Sequence, residues 1–262
     1  MTERGATRLL RTLFVIGTAS SGKSTLTSAL VEWLKENEQT VATVNLDPAA
    51  ITLPYEPDID VRDMVDYERI MAVRGVGPNS ALIYSVREVA RNVEVLTEEV
   101  EDLKVDYLIV DTPGQMEIFA FRKEGMVITK ALTTEKGIIL YLLDPILSYT
   151  PRTFASSMFL AASVYLRFVM PMIITVTKAD VVPRRYLLRI SKWLSSQEAY
   201  EVDLDRRGGG VTLLMAKEVA KAVSEIRAFI PHVLVSSKTM EGLPALHMAI
   251  TRTFGEGEDE LR

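Results

Sequence analysis

Apolar residues follow two rhythms along this chain. In the first they stand side by side in short runs: Leu13-Phe14-Val15-Ile16, Val41-Ala42-Thr43-Val44-Asn45, Tyr107-Leu108-Ile109-Val110, residues 137–143, Met172-Ile173-Ile174-Thr175-Val176 and Val233-Leu234-Val235. Unbroken runs of this length predict strands buried on both faces. In the second rhythm apolar positions recur three or four apart, the period of a helix with one buried side. Residues 25–35 do this with Leu26, Leu30, Trp33 and Leu34, and residues 61–73 with Val61, Met64, Val65, Ile70 and Met71. Helices are also predicted over 153–169, 184–196, 212–229 and 243–254, and a mobile helical stretch over 116–134. The longest pattern joins Leu82, Val86, Val89, Val93, Leu96, Val100 and Leu103 in a heptad-like seam. That seam is either internal core or part of a dimer contact. Strands alternating with helices predict an α/β fold, a three-layer sandwich with a mainly parallel sheet and helices on both faces. No linker-like stretch divides residues 1–254, which read as one domain. Residues 255–262 read as an acidic, disordered tail.

Between the first strand and the first helix lies Gly17-Thr18-Ala19-Ser20-Ser21-Gly22-Lys23-Ser24. It fits the phosphate-loop pattern G-x-x-x-x-G-K-[ST] without mismatch, so a P-loop NTPase is expected. Glycines let backbone N–H groups curl round a phosphate, and the helix N-terminus adds partial positive charge. Ser20, Ser21, Gly22, Lys23, Ser24 and Thr25 are the candidate phosphate contacts. Lys23 is expected at the terminal phosphates and the Ser24 hydroxyl on Mg²⁺. A chance glycine turn is the bland alternative, and the flanking strand and helix weigh against it.

Other strand ends carry further chemistry. Pro48 disfavours helix at Asp47 and leaves its carboxylate at a strand end, where ligands of parallel sheets bind. Asp47 therefore faces the nucleotide or makes an ordinary Asx-Pro turn. Asp111 directly follows a buried run, the usual position of a second Mg²⁺ anchor, and opens Asp111-Thr112-Pro113-Gly114-Gln115. The Gly114 N–H is placed to sense a γ-phosphate. Thr177-Lys178-Ala179-Asp180 is similar to the guanine-reading N/T-K-x-D motif, with Asp180 accepting from guanine N1–H and the 2-amino group and the Lys178 stem along the base. Adenine offers neither donor. Ser236-Ser237-Lys238 resembles the weaker element whose N–H approaches guanine O6.

Bulk properties exclude more than they select. The 262 residues are 48% hydrophobic and 25% charged with net charge −5, so no basic field points to nucleic acid or an anionic membrane. With no cysteine, disulfides, thiolate catalysis and Cys-based metal sites are excluded, and a reducing, cytoplasmic setting is expected. Two histidines, His232 and His247, make a His-rich metal site improbable. The apolar run after Arg4, Arg8 and Arg11 is too short for a signal-peptide core. Residues 154–172, the most apolar long segment, contain Arg167 and fall short of a membrane span.

Gly77-Pro78-Asn79, lying between the phosphate loop and Asp111, resembles the insert that names the GPN-loop GTPases. Asn45-Leu46-Asp47-Pro48-Ala49, Val61-Arg62-Asp63-Met64, Ile70-Met71 and Gln115-Met116-Glu117-Ile118-Phe119 are similar to that family in the same order. The resemblance implies a dimeric, Mg²⁺-dependent GTPase with an insert that enters the partner's site, bringing Asn79 to the γ-phosphate and attacking water in trans. It implies Ser24, Asp47 and Asp111 around Mg²⁺, and Gln115 and Glu117 near the metal and water, with either Gln115 or Asp47 orienting the water. Eukaryotic members are linked to RNA polymerase assembly, which implies a protein client. Two departures are Ser80, where the family often has Gly, and Thr18, near which it often has Pro. The competing readings are a partitioning or metal-delivery ATPase, whose extra loop lysine is missing here; a small-molecule kinase, for which Arg184-Arg185 and Arg206-Arg207 are the only close arginine pairs; and a module that holds GTP without turnover.

Overall fold

The computed structural model describes residues 10–205, 218, 221–222, 224–225 and 230–259. Seven strands are β1 (Arg11–Gly17), β2 (Val41–Asn45), β3 (Ile59–Asp60), β4 (Tyr107–Asp111), β5 (Lys136–Leu143), β6 (Met172–Val176) and β7 (His232–Leu234). They form one sheet in the order β3-β2-β4-β1-β5-β6-β7. The predicted α/β class with a parallel sheet is what the chain adopts. By density of contacts the chain divides into two units, Met1–Ile139 and Leu140–Arg262.

In the first unit β4 lies between β1 and β2, parallel to both. Register matters here: Val15 and Asn45 both sit opposite Asp111. The carboxyl ends of β1, β2 and β4 are therefore level, and the residues after them emerge at one edge. Residues 13–16 and 107–110 are fully buried, as two-sided burial of unbroken apolar runs requires. Helix α1 (Lys23–Glu36) covers the sheet with Leu26, Leu30 and Leu34.

Three helical expectations in this unit are corrected. The predicted helix over 61–73 is two, α2 (Val61–Met64) and α3 (Tyr67–Arg74). Asp66 caps α3 by accepting from the Arg69 N–H at 2.8 Å, a better use of a short carboxylate than a helix interior. The seam over 82–103 is also two helices, α4 (Pro78–Arg91) and α5 (Val93–Asp102). Asn92 breaks it, its side-chain amide donating back to the Glu88 carbonyl at 3.0 Å. Leu82, Val86, Val89, Leu96 and Val100 are nonetheless buried, so most of the seam is internal core. Residues 116–134 form α6 (Met116–Ala120) and α7 (Lys123–Leu132), against which α4 and α5 pack. A Cβ on Gly125 would lie 1.9 Å from the Phe119 carbonyl oxygen, so only glycine lets α7 cross α6 there.

In the second unit β6 and β7 are parallel, with Val176 opposite Leu234. Helix α8 (Pro151–Phe168) opens with a Thr150–Thr153 capping box. It buries Phe154, Met158 and Val164 while Phe159, Leu160 and Leu166 are exposed, so it is core on one side and apolar surface on the other. Helices α9 (Arg184–Ser195) and α10 (Gln197–Asp205) follow. Phe154, Trp193 and Tyr200 form an aromatic cluster with ring centres 5.3–5.9 Å apart. The last helix, α11 (Leu243–Asp259), passes the predicted end at Phe254. Residues 206–217 and 260–262, with Arg206-Arg207, Gly208 to Gly210 and most of the helix expected over 212–229, lie outside the described residues. No helix among the described residues is long and apolar enough to cross a membrane.

Candidate functional site

The phosphate loop leaves β1 at Gly17 and enters α1 at Lys23. Its tight path needs left-handed backbone at Ser20 (φ 60°) and Gly22 (φ 97°). At Gly22 an added Cβ would meet nothing within 4 Å, so backbone angle and not space demands glycine. The Lys23 ammonium donates to the Gly17 and Thr18 carbonyls, each at 3.2 Å. Burial pulls its pKa down against the opposing charges of Asp111 and Asp47. Ser21 is buried, Ser24 half-buried and Thr25 exposed.

Asp47 and Asp111 meet this loop from β2 and β4. Asp47 Oδ1 accepts from the Ala49 N–H and Oδ2 from the Gly114 N–H, both at 3.0 Å. It thus makes an Asx turn and also reaches the loop after β4. The Thr112 hydroxyl ties that loop to β1 through the Val15 carbonyl at 2.7 Å. Asp111 is only 1% exposed. Burial raises its pKa to about 6, against the Ser24 hydroxyl, the Lys23 charge and a hydrogen bond from Tyr55. Its Oδ2 accepts from the Tyr55 hydroxyl at 3.1 Å, while its buried Oδ1 has no hydrogen-bond partner among the described residues. A buried, vacant carboxylate oxygen beside a loop serine fits a Mg²⁺ ion, which takes few protein ligands and completes its shell with phosphate and water. No cluster of three or more acidic or histidine side chains suited to a metal occurs among the described residues.

The insert is built differently. Gly75 ends α3 in the left-handed conformation, and Gly77 starts α4 with Pro78 in its first turn. Asn79 is therefore inside α4 and not its cap. Its side chain is exposed and makes no hydrogen bond to Lys23, Asp47 or Asp111. Gln115 is the half-buried cap residue of α6, without a side-chain cap bond, and Glu117 is exposed on α6. The first unit thus gathers Lys23, Asp47, Asp111 and Gly114, and leaves Asn79 and Glu117 on its surface.

In the second unit Asp180 is exposed and its Oδ1 accepts from the buried Ser236 hydroxyl at 2.8 Å. The same Ser236 oxygen accepts from the Thr239 N–H at 3.1 Å, so the two predicted base-side motifs are joined. The Ala179 N–H donates to the Val235 carbonyl at 3.1 Å. Lys178 has φ 58° and pairs with buried Asp144 at 2.8 Å. Thr177 is buried, Ser237 half-buried and Lys238 exposed.

Sequence reasoning missed several residues. Asp144 stood in the sequence as a strand end, Asp144-Pro145, which is the signal that also marked Asp47. Tyr55 lay in an unremarkable proline loop. Asn45, Asp60 and Arg62 form a clamp on the Asp47 turn. The Asn45 amide holds the Asp47 N–H and carbonyl and donates to Asp60 at 2.9 Å, and Arg62 pairs with Asp60 and donates to the Ala50 carbonyl at 3.0 Å. Burial would raise the Asp60 pKa, yet the Arg62 and Asn45 hydrogen bonds outweigh it and hold it below the usual range.

A phosphate loop running from a central parallel strand into a helix, with acidic ends of neighbouring strands level with it, defines a P-loop nucleotide-binding protein. A family model described as "conserved hypothetical ATP binding protein" matches residues 15–256. The GPN-loop GTPase PAB0955 of Pyrococcus abyssi is 32% identical over 88% of this chain and 92% of its own. Its apo crystal structure superposes with a TM-score of 0.84, covering 95% of this chain and 99% of that one. The chain belongs to the GPN-loop GTPase family. It is also 33% identical to GPN-loop GTPase 1 of Dictyostelium discoideum over 72% of this chain, and 30% identical to GPN-loop GTPase QQT2 of Arabidopsis thaliana over 92%. It spans only 48% and 64% of those two relatives' lengths.

Proposed function

We propose that this protein hydrolyses GTP to GDP and phosphate with Mg²⁺, as a dimer that changes conformation with the nucleotide. The observation that carries the reading is the meeting of Lys23, Asp47 and Asp111 at the level ends of β1, β2 and β4, with Asp111 Oδ1 vacant. Bound Mg²⁺ would neutralise charge developing between the β- and γ-phosphates. On this reading Lys23 leaves the loop carbonyls for the terminal phosphates, and Ser24, Asp47 and Asp111 hold the cation. Backbone N–H groups over Ser20–Thr25 and at Gly114 cradle the phosphates. Asp47 or Gln115 orients the water, with Glu117 beside it. Asp180, Lys178, Thr177 and the Ser236-Ser237-Lys238 turn read guanine.

Asn79 acts in trans on this reading. Its exposure at the start of α4, with an unengaged amide, supports that role. A neutral amide orients the γ-phosphate and water more than it neutralises them. The two compact units serve as one GTPase domain over residues 1–254. A reducing, cytoplasmic setting suits a chain without cysteine. A protein client, with RNA polymerase subunits first in line by family resemblance, would read the nucleotide state; neither nucleic acid nor membrane is a direct partner.

The test is phosphate release from GTP and from ATP, with Mg²⁺ and with EDTA. GTP turnover that EDTA abolishes, with ATP a poor substrate, is expected. Preference for ATP would support the ATPase reading, and tight GTP binding without release would support the holding module. Light scattering with GDP and with a non-hydrolysable GTP analogue checks the dimer.

A further inference from the structure

Between β2 and β3 the chain makes a strap over residues 48–57. Several hydrogen bonds pin it, among them three from side chains that reach across to other elements. Arg62 donates to the Ala50 carbonyl at 3.0 Å, the Ser28 hydroxyl to the Pro54 carbonyl at 3.1 Å, and the Tyr55 hydroxyl to Asp111 Oδ2 at 3.1 Å. Of these three only the last reaches Asp111; Asp47 is met within its own turn, by the Ala49 N–H. Tyr55 is half-buried, and its partner carboxylate is 1% exposed.

The two oxygens of Asp111 are consequently unlike. Oδ2 accepts from Tyr55, and the buried Oδ1 has no hydrogen-bond partner among the described residues. A carboxylate on a short side chain rotates about its last bond, so with both oxygens free it would present either. The phenol removes that freedom. Hydrogen bonds to a ligating carboxylate fix its orientation, and losing such a partner costs about 10–100-fold in metal affinity. Resting on the GTPase reading of the site, we propose that Tyr55 is a positioning residue whose hydroxyl occupies Asp111 Oδ2 and so presents Oδ1 to the divalent cation that accompanies the nucleotide. The strap thereby acts on Asp111 through a single hydrogen bond.

The test uses the full chain and fluorescent mant-GDP, with release followed across a series of free Mg²⁺ concentrations and in EDTA. Wild type must bind mant-GDP and hold it longer with Mg²⁺. A wild type that binds no guanine nucleotide overturns the GTPase reading, and this proposal with it. Given binding, Tyr55→Phe keeps the ring and loses the hydroxyl. It is expected to raise the Mg²⁺ needed for half-maximal retention about tenfold, with affinity in EDTA unchanged. An unshifted Mg²⁺ dependence overturns the proposal alone, as does an equal loss of affinity in EDTA, which would mark general damage to the site. Ser28→Ala cuts another pin of the strap without touching Asp111, and is expected to keep the wild-type Mg²⁺ dependence. A shift as large as that of Tyr55→Phe would assign the effect to strap placement and overturn the role of the hydroxyl.

Discussion

The two units hold their functional groups in opposite ways. The first buries charge: Lys23 is 7% and Asp111 1% exposed, and each pays a desolvation cost that its neighbours only partly offset. The second keeps Asp180, the proposed base-reading carboxylate, in the open and steers it with one buried hydroxyl, Ser236. On the proposed reading the difference follows from what each must recognise. Phosphate charge is strong and nearly featureless, so a low-dielectric setting with fixed charges serves it. A base edge is weakly polar and patterned, so correctly spaced acceptors on a firm turn suffice.

Substitutions in each unit should therefore fail differently. The largest effect is expected for Asp180→Asn, which should reverse preference from GTP towards xanthosine triphosphate by about 10⁴-fold, measured by competition binding. Retained guanine preference would move base reading elsewhere. Lys23→Ala should weaken binding of GTP, and of any other triphosphate, by about 10³-fold in calorimetry, because a buried charge-assisted contact is lost. Unchanged affinity would refute the phosphate-loop assignment. Asn79→Ala should slow single-turnover hydrolysis by about 10²-fold and leave affinity alone. Mixing mutant subunits with Lys23→Ala subunits separates cis from trans action, since a trans contact leaves the intact site of such a mixed dimer with a wild-type Asn79.

The fourth expectation concerns stability without nucleotide or metal. Asp111 has a folded pKa of about 6 against an ordinary 3.8. A carboxyl with a raised folded pKa binds more protons folded than unfolded, so stability falls as pH rises between those values and stays lowered above them. Asp111→Asn should remove that loss and stabilise the metal-free protein above pH 6 by about 2 kcal/mol. Melting curves in EDTA at pH 4 and pH 7.5 test this, and an advantage that does not grow with pH would contradict it. The smallest effect is expected for Asp144→Asn, which frees Lys178 and should cost about fivefold in GTP affinity. An effect as large as that of Lys23→Ala would erase the contrast between the units.

Sequence made part of this legible. The phosphate loop and Asp111 could be read because each sits directly after an unbroken apolar run, and Asp47 because it stands two residues past the β2 run, before Pro48. β3 could not, since Ile59–Asp60 is a two-residue strand defined by pairing with Val44 and Asn45. The break at Asn92 was hidden because a heptad seam looks the same on one helix or on two that pack against a common neighbour. Tyr55 and Asp144 owe their roles to partners 56 and 34 residues away in sequence, Asp111 and Lys178. No local spacing encodes such pairs.

The bond from the Gly114 N–H to Asp47 has a kinetic meaning. On the proposed reading that N–H awaits a γ-phosphate, and in this structure a carboxylate of the protein's own already occupies it. Loading GTP would then swap one anion for another: the incoming phosphate would displace Asp47 and leave its carboxylate among the residues that would hold the cation. GDP brings no γ-phosphate and leaves the seat to Asp47. The resting protein thus carries its own placeholder, and the two nucleotides differ in whether they can dislodge it.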